Sequence, residues 1–238
     1  MLGLGTGFYG VGGKTYNGGD WLPSDESSLL AWYKFNTGIT DNKPGVSQWS
    51  DSSGNGYHML QATAGNQPTV SNGIITFDGS DDFLALASGD IVMADEGAFL
   101  IGFRVNPTSQ NRILLGKTGS NTEMVKLGLN VDNLLRIKPG GVNADFTLSS
   151  GNVKDDAYWV ISREAGAADL TTVYKDGSQV DSTKAAPGEF EISQIGKRTV
   201  SSGSATENEF HGDLYEIMIF SETNADLIAN VTARLASL

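Results

Sequence analysis

Three carboxylates fall within five residues of the run "FDGSDD" (77–82): Asp78, Asp81 and Asp82. Carboxylate oxygens at this density are the ligands calcium selects, and like charges this close repel one another unless a cation or water screens them. The spacing is not that of an EF-hand, and a solvated hairpin tip has the same composition. A second polar run, "WSDSSGNGYHML" (49–60), offers Asp51, Ser52, Ser53 and Asn55 to a metal or a sugar. The same residues make Asx-turns, and Gly54 and Gly56 can take positive φ, so residue types alone leave both a structural turn and a ligand site open. In "EFEIS", Glu189 and Glu191 share one face of a strand, with Cα atoms about 7 Å apart. A retaining glycosidase needs its carboxyls about 5–5.5 Å apart. Here Phe190 and Ser193 interrupt any longer run of acids, and the pattern suits a strand with Glu outward and Phe190 and Ile192 inward. Glu216 is a charge inside the apolar strand "YEIMIF" and is expected to hold a structural hydrogen bond.

Other chemistries lack their parts. With two histidines, His58 and His211, and no cysteine, a three-histidine zinc site, thiolate chemistry and disulfides are all excluded. No G-x-S-x-G elbow accompanies the serines. "GTGFYG" fits G-x-G-x-x-G at Gly5, Gly7 and Gly10, but a dinucleotide site needs a strand before it and a helix after it. "GFYGVGGKT" misses the phosphate loop because Phe8 stands where its first glycine belongs. The loops 106–111, 117–123 and 197–208 carry the polar half of a sugar site without an aromatic platform. No enzyme is expected.

These side chains must be positioned by strands. Short apolar or alternating runs recur at 29–35, 73–77, 83–87, 98–105, 112–116, 125–130, 134–138, 157–162, 170–174, 189–195 and 213–220, with polar turns between them. Such spacing predicts an all-β fold, a two-sheet antiparallel jelly-roll sandwich. "VYKDGSQV" predicts a hairpin on a type I′ Asp-Gly turn. A single short C-terminal helix is expected in "TNADLIANVTARLASL", where Leu227, Ile228, Val231, Leu235 and Leu238 share a face and Thr223 or Asn224 caps it. The 238 residues include 30 glycines, and the net charge of −12 disfavours nucleic acid and anionic membranes. No apolar stretch is as long as a membrane span.

The runs "LLAWYKFN", "QWSDSSGNGYHMLQ", "QPTVSNGIITFDGSDDFLAL", "TTVYKDGSQV" and "FHGDLYEIMIFSETNADLIANVTARL" resemble, in that order, the concanavalin A-like jelly-roll domains of the laminin-G/pentraxin-like branch. The resemblance covers residues 29–238. It implies that W-x-D-x-S-G-N-G is a loop before a strand, so Asp51, Gly54, Asn55 and Gly56 are expected to form a structural turn on which Trp49 packs. It also implies calcium as a possible ligand, with Asp78, Asp81 and Asp82 as its first candidates, and a glycan partner.

Residues 1–28 stand apart as a Gly-rich arm. Leu2, Leu4, Phe8, Tyr9, Tyr16 and Trp21 are spaced along it as apolar anchors, expected to dock on a neighbouring subunit or partner. The start has no basic head or apolar core of a signal peptide, and "MLGLG" resembles the starts of bacteriophage structural proteins. The leading expectation is a non-enzymatic virion protein, a capsid decoration, head-fibre or tail component, made in the host cytoplasm and assembled with copies of itself and other virion proteins. The alternative is a stand-alone carbohydrate-binding module; a glycoside hydrolase ranks third.

Overall fold

A computed structural model describes residues 21–43, 45–110, 112–119, 124–129, 131–199 and 208–238. In chain order, the first ten strands are β1 (Leu29–Tyr33), β2 (Ile39–Asp41), β3 (Val46–Trp49), β4 (Met59–Leu60), β5 (Thr69–Ser71), β6 (Ile74–Asp78), β7 (Leu84–Leu86), β8 (Ile91–Met93), β9 (Phe99–Pro107) and β10 (Arg112–Gly116). There follow β11 (Met124–Leu127), β12 (Leu134–Ile137), β13 (Ala144–Thr147), β14 (Ala157–Arg163), β15 (Leu170–Lys175), β16 (Ser178–Gln179), β17 (Lys184–Ala185), β18 (Phe190–Ile192), β19 (Gln194–Ile195), β20 (His211–Phe220) and the helix α1 (Ala225–Ala236).

Two nine-stranded antiparallel sheets face each other. The first runs β16-β15-β14-β9-β20-β6-β5, with β1 beside the second half of β20 and β17 beside β15. The second runs β13-β12-β11-β10-β19-β7-β4-β3-β2. Side chains alternate between faces along each strand. In β9, Phe99, Ile101, Phe103 and Val105 point into the sandwich, where they meet Trp49, Phe77, Phe146 and Trp159. Leu100 and Gly102 take the outer face, which α1 covers with Leu227, Val231 and Leu235. Asn224 caps the helix, its Oδ1 accepting from the Leu227 amide at 2.8 Å. The Asp-Gly hairpin joins β15 to β16, with φ of 50° at Asp176 and 77° at Gly177, the two positive values a type I′ turn needs.

The expected strand 189–195 is two strands. Phe190 and Ile192 face the core, and so does Ile195, one residue out of the two-residue period. The chain therefore breaks at Ser193, leaving β18 paired with β8 and sending β19 into the second sheet. Trp21 packs on this chain's own body, 9% exposed, its ring 6.4 Å from Phe220 and its Nε1 donating to Glu26 at 2.8 Å. The other five anchors expected in the arm, Leu2, Leu4, Phe8, Tyr9 and Tyr16, lie outside the described residues, as do the two glycine motifs near them.

Glu216 is fully buried on the outer face of β20. Its Oε1 accepts from Trp32 Nε1 at 2.8 Å and from Arg234 Nε, and its Oε2 accepts from the Phe35 amide and Arg234 Nη2, both at 3.0 Å. The Arg234 guanidinium also lies over the Trp32 ring at 4.8 Å. One carboxylate thus ties together β1, β20 and the last turn of α1.

The helix can lie this close because Gly102 has no side chain. A Cβ there would sit 2.4 Å from Val231 Cγ1 and 3.3 Å from Leu235 Cδ1. Gly102→Ala is therefore expected to cost about 1–3 kcal/mol in urea unfolding, the usual penalty of overpacking. Adding Val231→Ala should recover part of that loss, and a double variant that is additively worse would contradict the close contact.

Candidate functional site

The run 49–60 forms a turn whose polar groups are used inside the protein. Asp51, 7% exposed, accepts through Oδ1 from the amides of Trp32 (2.9 Å) and Ser53 (2.8 Å), and through Oδ2 from Ser53 Oγ (2.7 Å) and the Tyr57 amide (3.1 Å). Its own amide donates to His58 Nδ1 at 3.0 Å. Asn55 Nδ2 donates to the carbonyls of Leu29 and Leu30, both at 2.9 Å. Those carbonyls belong to a shift in register of β1 against β20 between Leu29 and Ala31. Gly54 (φ 92°) and Gly56 (φ 82°) supply the left-handed backbone, and Trp49 is fully buried with its ring 5.6 Å from Tyr33.

Asp78, Asp81 and Asp82 come together at the end of β6, with one oxygen of each within 4.8 Å of the others. Two of the three carboxylates already serve the hairpin. Asp78 Oδ1 accepts from the Ser80 amide at 2.8 Å, and Asp82 Oδ2 accepts from the Asp78 amide at 2.9 Å. The remaining oxygens and both of those on Asp81 are hard donors of the kind calcium takes, so the donor set fits the expected cation without requiring it. Burial pushes the Asp82 carboxyl up to about 6, the Asp78 amide opposes this, and the charges of Asp78 and Asp81 add to it. Burial acts in the same upward direction on Asp78, but the amides of Ser80, Asp81 and Asp82, with His211 nearby, hold it below the usual range.

His211, the register partner of Asp78, begins a polar face that runs along β20. Helix α1 stops at Arg104, whose Nη1 donates to the Leu235 carbonyl at 3.4 Å. Beyond it the outer face of the first sheet is uncovered by the helix. His211, Asp213 and Tyr215 span about 13 Å of it at the rise of an extended chain. Asp213 accepts from Thr76 Oγ1 at 2.7 Å and from Asn106 Nδ2 at 3.5 Å. Tyr215 sits in a shift of register between Leu214 and Glu216. Its half-buried ring stacks on Phe35 at 6.3 Å and 28°, with the Arg104 guanidinium 5.1 Å from its centre. Arg104 is itself paired twice with Asp156, at 3.2 Å for each bond. Burial, then Asp156 and Asp213, push the Tyr215 hydroxyl up, and Arg104 opposes them. Phe35 is placed by the hydrogen bond its backbone N–H donates to Glu216 Oε2.

Sequence reading passed over Phe35 and Tyr215 because it sought aromatics in the loops. The available signal was a tyrosine next to the buried charge in "DLYEIMIF". Glu191 is ion-paired with Lys117, which also has Asp90 at 3.8 Å, and Glu189 is exposed. The loops 117–123 and 197–208 fall largely outside the described residues.

A carboxyl whose pKa is raised on folding binds its proton in the native state between the unfolded value, about 4, and the folded one. Its stabilising contribution is complete below about pH 4 and is lost as pH rises through the folded value of about 6. With a chelator present, the native chain should therefore lose stability between pH 4 and 7 relative to Asp82→Asn. If the cluster holds calcium, calcium added at pH 7 should raise the melting midpoint of the native chain more than that of the variant. Parallel pH profiles would contradict the burial of Asp82, and equal midpoints with and without calcium would remove the cation.

No protein-family model matches the chain, and no curated protein does. Solved structures do. Domain 4 of AbnA, a GH43 extracellular arabinanase from Geobacillus stearothermophilus in complex with arabinotriose, aligns over 87% of this chain and 98% of its own, with a TM-score of 0.59 and 14% identity. The binding domain of Paraclostridial Mosquitocidal Protein 1 gives 0.58 and 15%, over 91% of this chain and 53% of its own. Trypanosoma rangeli sialidase gives 0.56 and 13%, over 89% of this chain and 33% of its own. Two nine-stranded sheets, one late helix among the described residues and these alignments together make the fold a two-sheet antiparallel β-sandwich of the kind these binding domains share.

Proposed function

We propose that this chain is a carbohydrate-binding module whose site is the open face of the first sheet around Tyr215. The observation that carries the reading is the stacked, half-buried Phe35–Tyr215 pair set beside fixed hydrogen-bonding groups on Asp213, Asn106 and Thr76. A sugar ring presents an apolar C–H face that lies on an aromatic ring, and hydroxyls that need oriented donors and acceptors. The arabinotriose bound to AbnA domain 4 supports the reading by analogy of fold. Arg104 is neutralised by Asp156, and the chain carries a net charge of −12, so the face suits a neutral glycan. The module binds its ligand without turning it over: of the acids the sequence offers for hydrolysis, Glu191 lies on the separate β18–β8 pair and is engaged by Lys117, and Glu189 is an exposed residue just before that strand.

A role in a phage virion, with homo-oligomer and virion partners, rests on the composition of the arm 1–28, of which residues 1–20 lie outside those described. The fold likenesses lend it no support.

Calorimetric titration with neutral oligosaccharides, arabinotriose first, tests the proposal. Tyr215→Ala should weaken binding about fivefold or more at an unchanged melting midpoint, since an aromatic stacking partner contributes about 1 kcal/mol. Tyr215→Phe should bind nearly as the native chain does. Full binding by Tyr215→Ala would move the site elsewhere, and no binding of any neutral glycan by the native chain would end the proposal.

A further inference from the structure

The two sheet edges at β13 and β16 are tied where the Thr147 amide donates to Asp181 Oδ2 at 2.8 Å and Lys184 Nζ donates to the Asp145 carbonyl at 2.6 Å. Beyond these ties the loop 148–151 and the β15–β16 hairpin part, leaving a cavity of about 250 Å³. Leu148 and Val180 are the apolar side chains of its lining, and the exposed Ser149, Ser150 and Ser178 contribute hydroxyls to it. Among the described residues these three hydroxyls make no hydrogen bond within the protein. Gln179 spends its Nε2 on the Asp181 carbonyl at 2.7 Å and keeps Oε1 as an acceptor. Asp176 spends Oδ1 on the Tyr158 amide at 3.1 Å and keeps Oδ2.

We infer that this cavity is a second binding site, for a neutral, hydroxyl-rich ligand the size of a single sugar ring. Its size falls below the roughly 300 Å³ at which pockets for drug-sized ligands begin. Its groups both donate and accept, as a polyol requires, and its two apolar side chains suit the C–H face of a ring. Charge excludes an anion. Lys175 Nζ is held by Asp155 at 2.5 Å, which cancels the one positive charge at the cavity and leaves Asp176 in excess. The turn that carries Asp176 and Ser178 is fixed by its two left-handed residues and by the bond to the Tyr158 amide, so little order has to be gained on binding. The site stands apart from the Tyr215 face and does not depend on it.

Two-dimensional amide NMR of the full chain tests the inference, with L-arabinose, D-galactose and D-glucose as neutral probes and D-galacturonate as the anionic one. At least one neutral sugar should give saturable shifts at the amides of residues 149–151 and 176–179, and galacturonate should give none. Ser178→Leu and Ser150→Leu should each weaken that binding at least about tenfold, the loss of one or two hydrogen bonds, with an unchanged melting midpoint, whereas Tyr215→Ala should leave it intact. No saturable shift with any neutral sugar, a shift with galacturonate equal to theirs, or native affinity in both serine variants would overturn it.

Discussion

The buried carboxylate of Glu216 is the constraint around which the described structure is arranged. A carboxylate with no exposed surface must have its oxygens satisfied, and four donors from three residues converge on this one. Arg234 brings the end of α1 down onto the sheet, Trp32 fixes β1, and the Phe35 amide sets the chain leaving β1. The geometry is demanding: removing one partner of a buried pair usually costs about 3–5 kcal/mol because the other charge is left uncompensated. The same bonds place Phe35 against Tyr215, the neighbour of Glu216 in the strand. A core polar network and a half-buried aromatic pair are therefore held by two neighbouring positions of one strand.

The helix and the aromatic face divide the outer surface of the first sheet between them. Where small or apolar residues recur, at Leu100, Gly102, Val160 and Met218, the helix packs. Where the outward residues become Arg104, Asn106, Asp213 and Thr76, packing would strand polar groups, and the face stays open. Arg104 marks the border, bonded to the last helical turn on one side and lying on Tyr215 on the other.

Much of this was legible before any coordinates. The long strands show a two-residue period, the Asp-Gly hairpin requires positive φ twice, and the final helix shows apolar residues at a 3.6 period with an asparagine cap. The short strands β2, β5 and β8 were not legible, because three residues are too few to establish a period. The break at Ser193 hid because each half of the run 189–195 reads as a strand on its own. The roles of Asp51 and Asn55 were readable as turn chemistry, yet their partners at Leu29, Leu30 and Trp32 are set by tertiary contact alone. Tyr215 keeps the outward alternation of His211 and Asp213 and was missed because the aromatic platform was sought in the loops; what no local pattern announces is the shift in register that puts Glu216 on the same face.

If Glu216 organises the helix, the first strand and the platform, its interaction with Arg234 must be worth more than two separate side chains. A double-mutant cycle in urea, with Glu216→Gln and Arg234→Met, measures that directly. A coupling energy above about 1.5 kcal/mol is the predicted result, and additivity within about 0.5 kcal/mol would contradict it.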